Sequence, residues 1–225
     1  MRTYGFTIEG ECLVGKSTAL KMIKAKENYS GADVFLVPEY FEIGKLSSTS
    51  RRDRCDVKRI QDEIMSMEKR RSEIAARYLA VDRNSVVGFD RSFLSCLSYE
   101  QAVKQTGGMD GFDYLLDLYR REYLDGNVVL PSQVIHLSAE LTTIEYHRQN
   151  LLGAGHNDIP PFLQDLRVRR IQNQFTEIKG RELYGEAYFR LSIDNLSSDI
   201  VANMCCVHIS SAIKIDSINL GYQYA

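Results

Sequence analysis

The stretch TYGFTIEGECLVGKSTALKMI, Thr3 to Ile23, decides how the rest of the chain is read. Tyr4, Phe6 and Ile8 alternate as in a strand, and Leu20 and Ile23 resume at helical spacing. Between them Gly10, Gly15, Lys16 and Ser17 fit G-x-x-x-x-G-K-[ST], the phosphate-binding loop. Chemistry explains the spacing. Backbone N–H groups of such a loop turn inward on phosphate oxygens, which needs glycine torsions and bare backbone. The following helix adds its positive N-terminal end. Gly10, Glu11, Val14, Gly15, Lys16, Ser17 and Thr18 therefore form the candidate nucleotide-binding set. Lys16 can reach the outer phosphates, and the Ser17 hydroxyl can ligate Mg²⁺. Cys12 lies inside the loop, where a small side chain is expected to point away from the ligand.

The chain has 225 residues, 44% hydrophobic and 26% charged, an ordinary globular composition with ample core material. No repeat, low-complexity run or linker divides it, so one domain over 1–225 is the simplest reading. A net charge of −2 does not suit a general nucleic-acid or anionic-membrane surface. No apolar run reaches the ~18 residues of a membrane span, and no apolar signal region opens the sequence, so the expectation is a cytoplasmic protein. Five cysteines (Cys12, Cys55, Cys96, Cys205, Cys206) without C-x-x-C spacing read as reduced thiols.

Further strands are expected at Asp33–Val37, Ser85–Phe89, Gln133–Leu137 and Tyr188–Ile193, with breaks at Asn28–Ala32 and Asn84. Helical spacing covers 17–26, 56–80, 93–104, 112–124, 141–152 and 162–178, and Ser197 or Ser198 caps a last helix to about Ile209. Residues 42–54 and 153–158 read as loops. Ile213, Ile215 and Ile218 hint at an extra strand or an ordered tail. Arg51, Arg52, Arg54, Lys58 and Arg59 read as a solvated basic face. Strands alternating with helices predict an α/β fold with a largely parallel sheet of about five strands covered on both faces. Residues 42–80 and 107–130 would supply a helical cover. Ligands in such sheets sit beyond the carboxyl ends of the strands, so residues following strands one, two and three converge on one crevice.

Three strand-end residues and one helical arginine stand out there. Glu39, straight after DVFLVP, either takes a proton from a substrate hydroxyl or is an exposed loop carboxylate. Asp90 and Arg91 follow SVVGF; the acid can hold a magnesium shell and the arginine can fork onto phosphate, or the two form a local ion pair. Arg148, on the helix after the fourth strand, can close over a transferring phosphoryl group. His147 beside it reads as a packed or solvent-facing helical residue. Arg167, Arg169 and Arg170 are further lid candidates, and helical spacing keeps all three from facing one ligand.

These segments together resemble the deoxynucleoside kinase and thymidylate kinase group of P-loop kinases, over residues 3 to about 209. The glycine loop, VPEYFE, FDRSFLS, IEYHRQN and LSIDNLSSDIV carry the likeness. DRS is similar to the thymidylate kinase DR[YSH] motif, and PEYFE to the deoxynucleoside kinase segment bearing the general base. The resemblance implies a three-layer P-loop NTPase fold with a helical lid, ATP and Mg²⁺ as donor and metal, and a nucleoside or nucleoside monophosphate as acceptor. It nominates Glu39 as base, Asp90 with Ser17 for the metal, Arg91 for substrate or phosphate, and Arg148 as lid arginine. It places the Asp194–Ser197 loop near the adenine, makes Gln61 or Arg70 a nucleobase contact, and implies a homodimer. The chain departs from both patterns: it has DRS rather than ERS, EYFEIG rather than EP-G, and no tryptophan.

Three other readings compete with a nucleoside or nucleotide kinase. A non-catalytic ATP sensor would need neither a base at position 39 nor the DRS arginine. A P-loop kinase of another small hydroxyl metabolite would share both. A GTPase needs N-K-x-D, and the nearest string, Ile213–Asp216, lacks the Asn.

Overall fold

The computed structural model describes residues 5–11, 13–26, 33–81, 86–153 and 165–223. Cys12, the Asn28–Ala32 and Asn84 breaks, and most of the 153–158 loop lie outside the described residues. Five strands, β1 (Gly5–Gly10), β2 (Val34–Val37), β3 (Val86–Asp90), β4 (Gln133–Ser138) and β5 (Tyr188–Ser192), pair in the order β2-β3-β1-β4-β5. Every pairing is parallel. The helices are α1 (Lys16–Ala25), α2 (Tyr40–Ile43), α3 (Arg54–Val81), α4 (Phe93–Gln105), α5 (Phe112–Leu124), α6 (Leu141–Gly153), α7 (Leu166–Tyr184) and α8 (Ser198–Gln223). The result is the three-layer α/β fold of P-loop NTPases.

The period-2 pattern of the strands sorts the two faces. Phe6 and Ile8 of β1, Ile135 and Leu137 of β4 and Leu191 of β5 point to one side. There Leu20 and Ile23 of α1 and Ala202, Cys205 and Ile209 of α8 cover them. Burying each such large side chain contributes roughly 1.5–3 kcal/mol. The opposite face carries Thr7 and Glu9 of β1 and His136 of β4, all fully buried. The apolar part of that layer is built from Phe93, Leu94 and Leu97 of α4, Leu115 and Leu118 of α5, and Val134. Gly88 of β3 is required by close packing: a Cβ there would lie 2.7 Å from Phe6 and 2.9 Å from Leu36.

Two helix boundaries differ from the sequence expectation. α7 runs on to Tyr184, past the expected end at 178; it begins at Leu166, where the Asp165 carboxylate accepts from Arg167 N (2.8 Å) and Val168 N (3.4 Å) and so caps it, and the expected residues 162–164 lie outside the described residues. α8 continues to Gln223, so Ile213, Ile215 and Ile218 belong to a helix and not to a strand. No proline occurs in that run, and its first glycine is Gly221, so nothing ends the helix near 209. The single turn α2 takes in the first two residues of the expected 42–54 loop, and α3 takes its last, Arg54. Cys55, Cys96, Cys205 and Cys206 form no disulfide among the described residues. Among the described residues no helix is long and apolar enough to cross a membrane.

Candidate active site

β1 lies between β3 and β4, and the chain leaves it in opposite directions, toward β2 first and β4 later. The crevice at that reversal is where ligands enter such sheets. Gly10 closes β1 with φ 136°, and a Cβ there would stand 2.2 Å from the Leu137 carbonyl oxygen. Only glycine lets the loop leave the sheet that close to β4. Gly15, at φ 87°, is the left-handed entry to α1. Leu13 also has positive φ, 70°, a conformation that side chains rarely adopt and that the surroundings must hold. His147 of α6 does so: its Nδ1 donates to Leu13 O at 2.8 Å. The histidine read as a bystander thus ties the loop to α6.

Lys16 is buried, and its Nζ donates to Gly10 O (3.1 Å) and Glu11 O (2.6 Å), so the ammonium sits within the loop. Ser17 Oγ donates to Asp90 Oδ2 at 2.7 Å. The parallel register sets that pair, since Ile8 stands opposite Asp90 and Arg91 N donates to Ile8 O at 3.2 Å. Arg91 has φ 66°, and the turn swings its side chain to β2, where Nε donates to Glu39 Oε1 at 3.0 Å. Glu39 caps α2, and its own N–H donates to Glu42 Oε2 at 3.3 Å. Lys16, Ser17, Asp90, Arg91 and Glu39 therefore form one continuous line across the mouths of β1, β3 and β2.

Arg148 does not join them. Its Nε and Nη2 donate to Glu145, one turn back on α6, at 2.8 and 2.6 Å. Of the three lid candidates on α7, Arg167 and Arg170 are exposed, whereas Arg169 is buried, with Nη2 3.2 Å from Glu11 Oε2. Burial raises the Glu11 pKa, and the charge of Arg169 works against that shift. Val14 is packed in the core, and Thr18 is exposed. Asp194 accepts from Glu140 N (2.9 Å), Thr143 Oγ1 (2.7 Å) and Ser192 Oγ (2.7 Å), which ties the β5 exit to the start of α6.

Arg70 is exposed, and its neighbour Arg71 is the inward-facing one. Gln61 is fully buried, with Nε2 donating to Glu100 Oε1 at 3.0 Å. Glu100 also receives Arg51 and the Gly111 N–H, so one member of the basic cluster is the half-buried partner of a buried carboxylate and not a solvated charge.

Two buried residues were not singled out from sequence. Glu9 accepts from Ser92 N and Ser92 Oγ, each at 2.6 Å, and from Ser95 Oγ. Burial raises its pKa, and the Ser92 and Ser95 bonds and the Arg91 charge oppose that. It joins β1 to the start of α4, just past the DRS turn. Arg71 lies on the α3 face that also carries Ile60, Ile64 and Met67; the i+4 step from Met67 was the available signal.

No protein-family model matches the chain, and no curated protein is similar in sequence. Solved structures share its fold. Deoxyadenosine kinase from M. mycoides, with the products dCMP and dCDP, superposes with a TM-score of 0.61 at 18% identity, over 92% of this chain and 99% of that one. The same enzyme with bound dCTP gives 0.62 at 16%, with the same coverage. Thymidylate kinase from Candida albicans gives 0.55 at 15%, over 94% of this chain and 92% of that one.

Proposed function

We propose that the protein is an ATP- and Mg²⁺-dependent kinase that transfers the γ-phosphoryl group to a nucleoside or nucleoside monophosphate. The observation that carries this reading is the unbroken line from Lys16 to Glu39. A phosphate-binding loop alone serves many reactions. Here it is joined through Ser17–Asp90 and Arg91–Glu39 to a carboxylate on the far side of the crevice. A sensor of ATP has no use for that acceptor-side pair.

The loop amides and Lys16 would hold the donor phosphates, and the α1 N-terminus adds its partial positive charge. Ser17 Oγ and Asp90 Oδ2 are adjacent hard oxygen donors, which fits Mg²⁺. Among the described residues no group of three or more His, Cys, Asp or Glu gathers into a metal site. A cation would therefore be shared between these two residues and the ligand phosphates. When bound, it supplies charge neutralisation on the transferring group. Glu39 accepts the proton of the acceptor hydroxyl, and Arg91 orients that carboxylate until the acceptor arrives. Arg148 or Arg169 would meet the charge that develops on the equatorial oxygens. Arg169 is the one already at the loop, whereas Arg148 must first leave Glu145.

The test is an ATP-consumption screen over nucleosides and nucleoside monophosphates, with Lys16→Ala as the control. Product phosphorylation by the natural chain and its loss in a folded Lys16→Ala variant are expected. ATP binding without transfer to any acceptor would favour a sensor. Undiminished turnover in Lys16→Ala would overturn the mechanism.

A further inference from the structure

Arg71 is among the largest fully buried side chains in the molecule. A guanidinium is costly to bury unless its N–H groups find acceptors. Those it finds lie at the active site. Nε donates to Pro38 O at 3.1 Å, and Nη2 donates to Asp90 O and Arg91 O at 3.0 and 2.9 Å. Nη1 donates to Glu68 Oε2 at 3.0 Å, one turn back on α3. The cation also lies over the Tyr40 ring, 4.1 Å from its centroid.

These contacts have one geometric meaning. Pro38 and Tyr40 are the residues on either side of Glu39. Asp90 and Arg91 form the turn whose left-handed backbone aims the Arg91 side chain at Glu39. One rigid planar group thus holds the backbone beneath both members of the Glu39–Arg91 pair, and a 28-residue helix carries it. Glu39 and Arg91 themselves are partly exposed, with side chains 33% and 23% accessible.

We propose that Arg71 is the positioning residue of the acceptor half-site: it sets the β2 and β3 exits so that Glu39 and Arg91 face each other across the crevice. This rests on the reading of Glu39 and Arg91 as acceptor-side residues. Arg71 touches neither substrate nor metal in this scheme. The lysine ammonium, a compact charge on a flexible stem, cannot span three carbonyls in one plane.

The test compares the natural chain with Arg71→Lys. Measured are hydrogen exchange at the amides of Glu42, Ile43 and Arg91, the ATP dissociation constant, and kcat and KM for the acceptor. Expected are faster exchange confined to those amides, unchanged ATP affinity, and a kcat lower by roughly ten- to a hundredfold, the scale of a ~1 Å misplacement. Because Arg71→Lys can fail to fold, the double variant Arg71→Met/Glu68→Met, which leaves no unpaired buried charge, is tested in parallel with the same expectation. Natural exchange and natural kcat in either folded variant overturn the proposal. So does loosening spread evenly over the chain with equal loss of ATP binding, the mark of a merely structural arginine. A natural chain that phosphorylates no acceptor, together with selective loosening in the variant, removes the kinase reading and leaves the positioning role standing.

Discussion

His136 offers a quantitative test of the layer that supports the site. It lies on β4 opposite Glu9, is fully buried, and its Nδ1 shares a hydrogen with the Tyr188 hydroxyl. Burial lowers its pKa from 6.5 to about 4, against the opposing interaction with the Asn173 side chain. The native state therefore holds the neutral ring, while the unfolded chain protonates it near its ordinary value. Between those pKa values the unfolded state binds more protons, so stability rises with pH. The contribution is complete above about pH 6.5 and is lost as pH falls toward 4. A shift of ~2.5 units corresponds to about 3 kcal/mol, of which ~2 kcal/mol lies between pH 7 and pH 5. The perturbation is His136→Gln, which keeps a polar side chain of similar reach and removes the titration. The assay is urea unfolding of both proteins at about pH 7 and pH 5, taken as the difference between them. Glu9 and Glu11, whose raised pKa values act in the opposite direction, remain in both proteins and cancel. The natural chain should lose ~2 kcal/mol more than the variant. Parallel pH dependences would show that the buried ring is not held neutral and would refute the argument.

Three further outcomes follow from the same geometry. Gly10→Ala puts a Cβ 2.2 Å from the Leu137 carbonyl at a positive φ, so unfolding should cost at least about 2 kcal/mol less and ATP affinity should collapse, as read by denaturation and by nucleotide titration. Arg169→Met leaves the Glu11 carboxylate, 12% accessible, without its partner; about 3 kcal/mol of stability should be lost, and Glu11→Gln in the same chain should recover most of it. Asp90→Asn removes a charge from the oxygen pair with Ser17, so the Mg²⁺ concentration for half-maximal turnover should rise by about tenfold or more.

Much of the fold was legible because it rests on local rules. The five strands are short apolar runs bounded by turn residues, and each was located to within one or two positions. α8 and α7 both run past their expected ends, α8 where the decisive signal was an absent breaker, easily lost among polar residues. The loop residues and the strand-end residues Glu39, Asp90 and Arg91 were legible for a stronger reason. A glycine loop has a fixed chemical spacing, and a parallel sheet delivers its strand ends to one rim. What lay beyond reach were helical side-chain directions. Arg71 rather than Arg70 turns inward, and Arg169 rather than Arg167 or Arg170 meets the loop. One residue is a turn of about 100°; on α3 only the i+4 step from Met67 marks Arg71, and nothing in the composition of α7 marks which way its arginines fall.

The sequence by itself determined the glycine-bracketed loop of Gly10–Ser17, because the glycines that take its positive φ angles and the lysine that closes it are written within eight adjacent residues. Only the tertiary structure decided what that loop faces. Ser17 meets Asp90, Arg91 meets Glu39, and Arg71 grips the carbonyls between them, across separations of 73, 52 and 19–33 residues. Contacts that distant depend on strand order, register and helix rotation, and those are settled by packing of the whole chain and not by any local pattern.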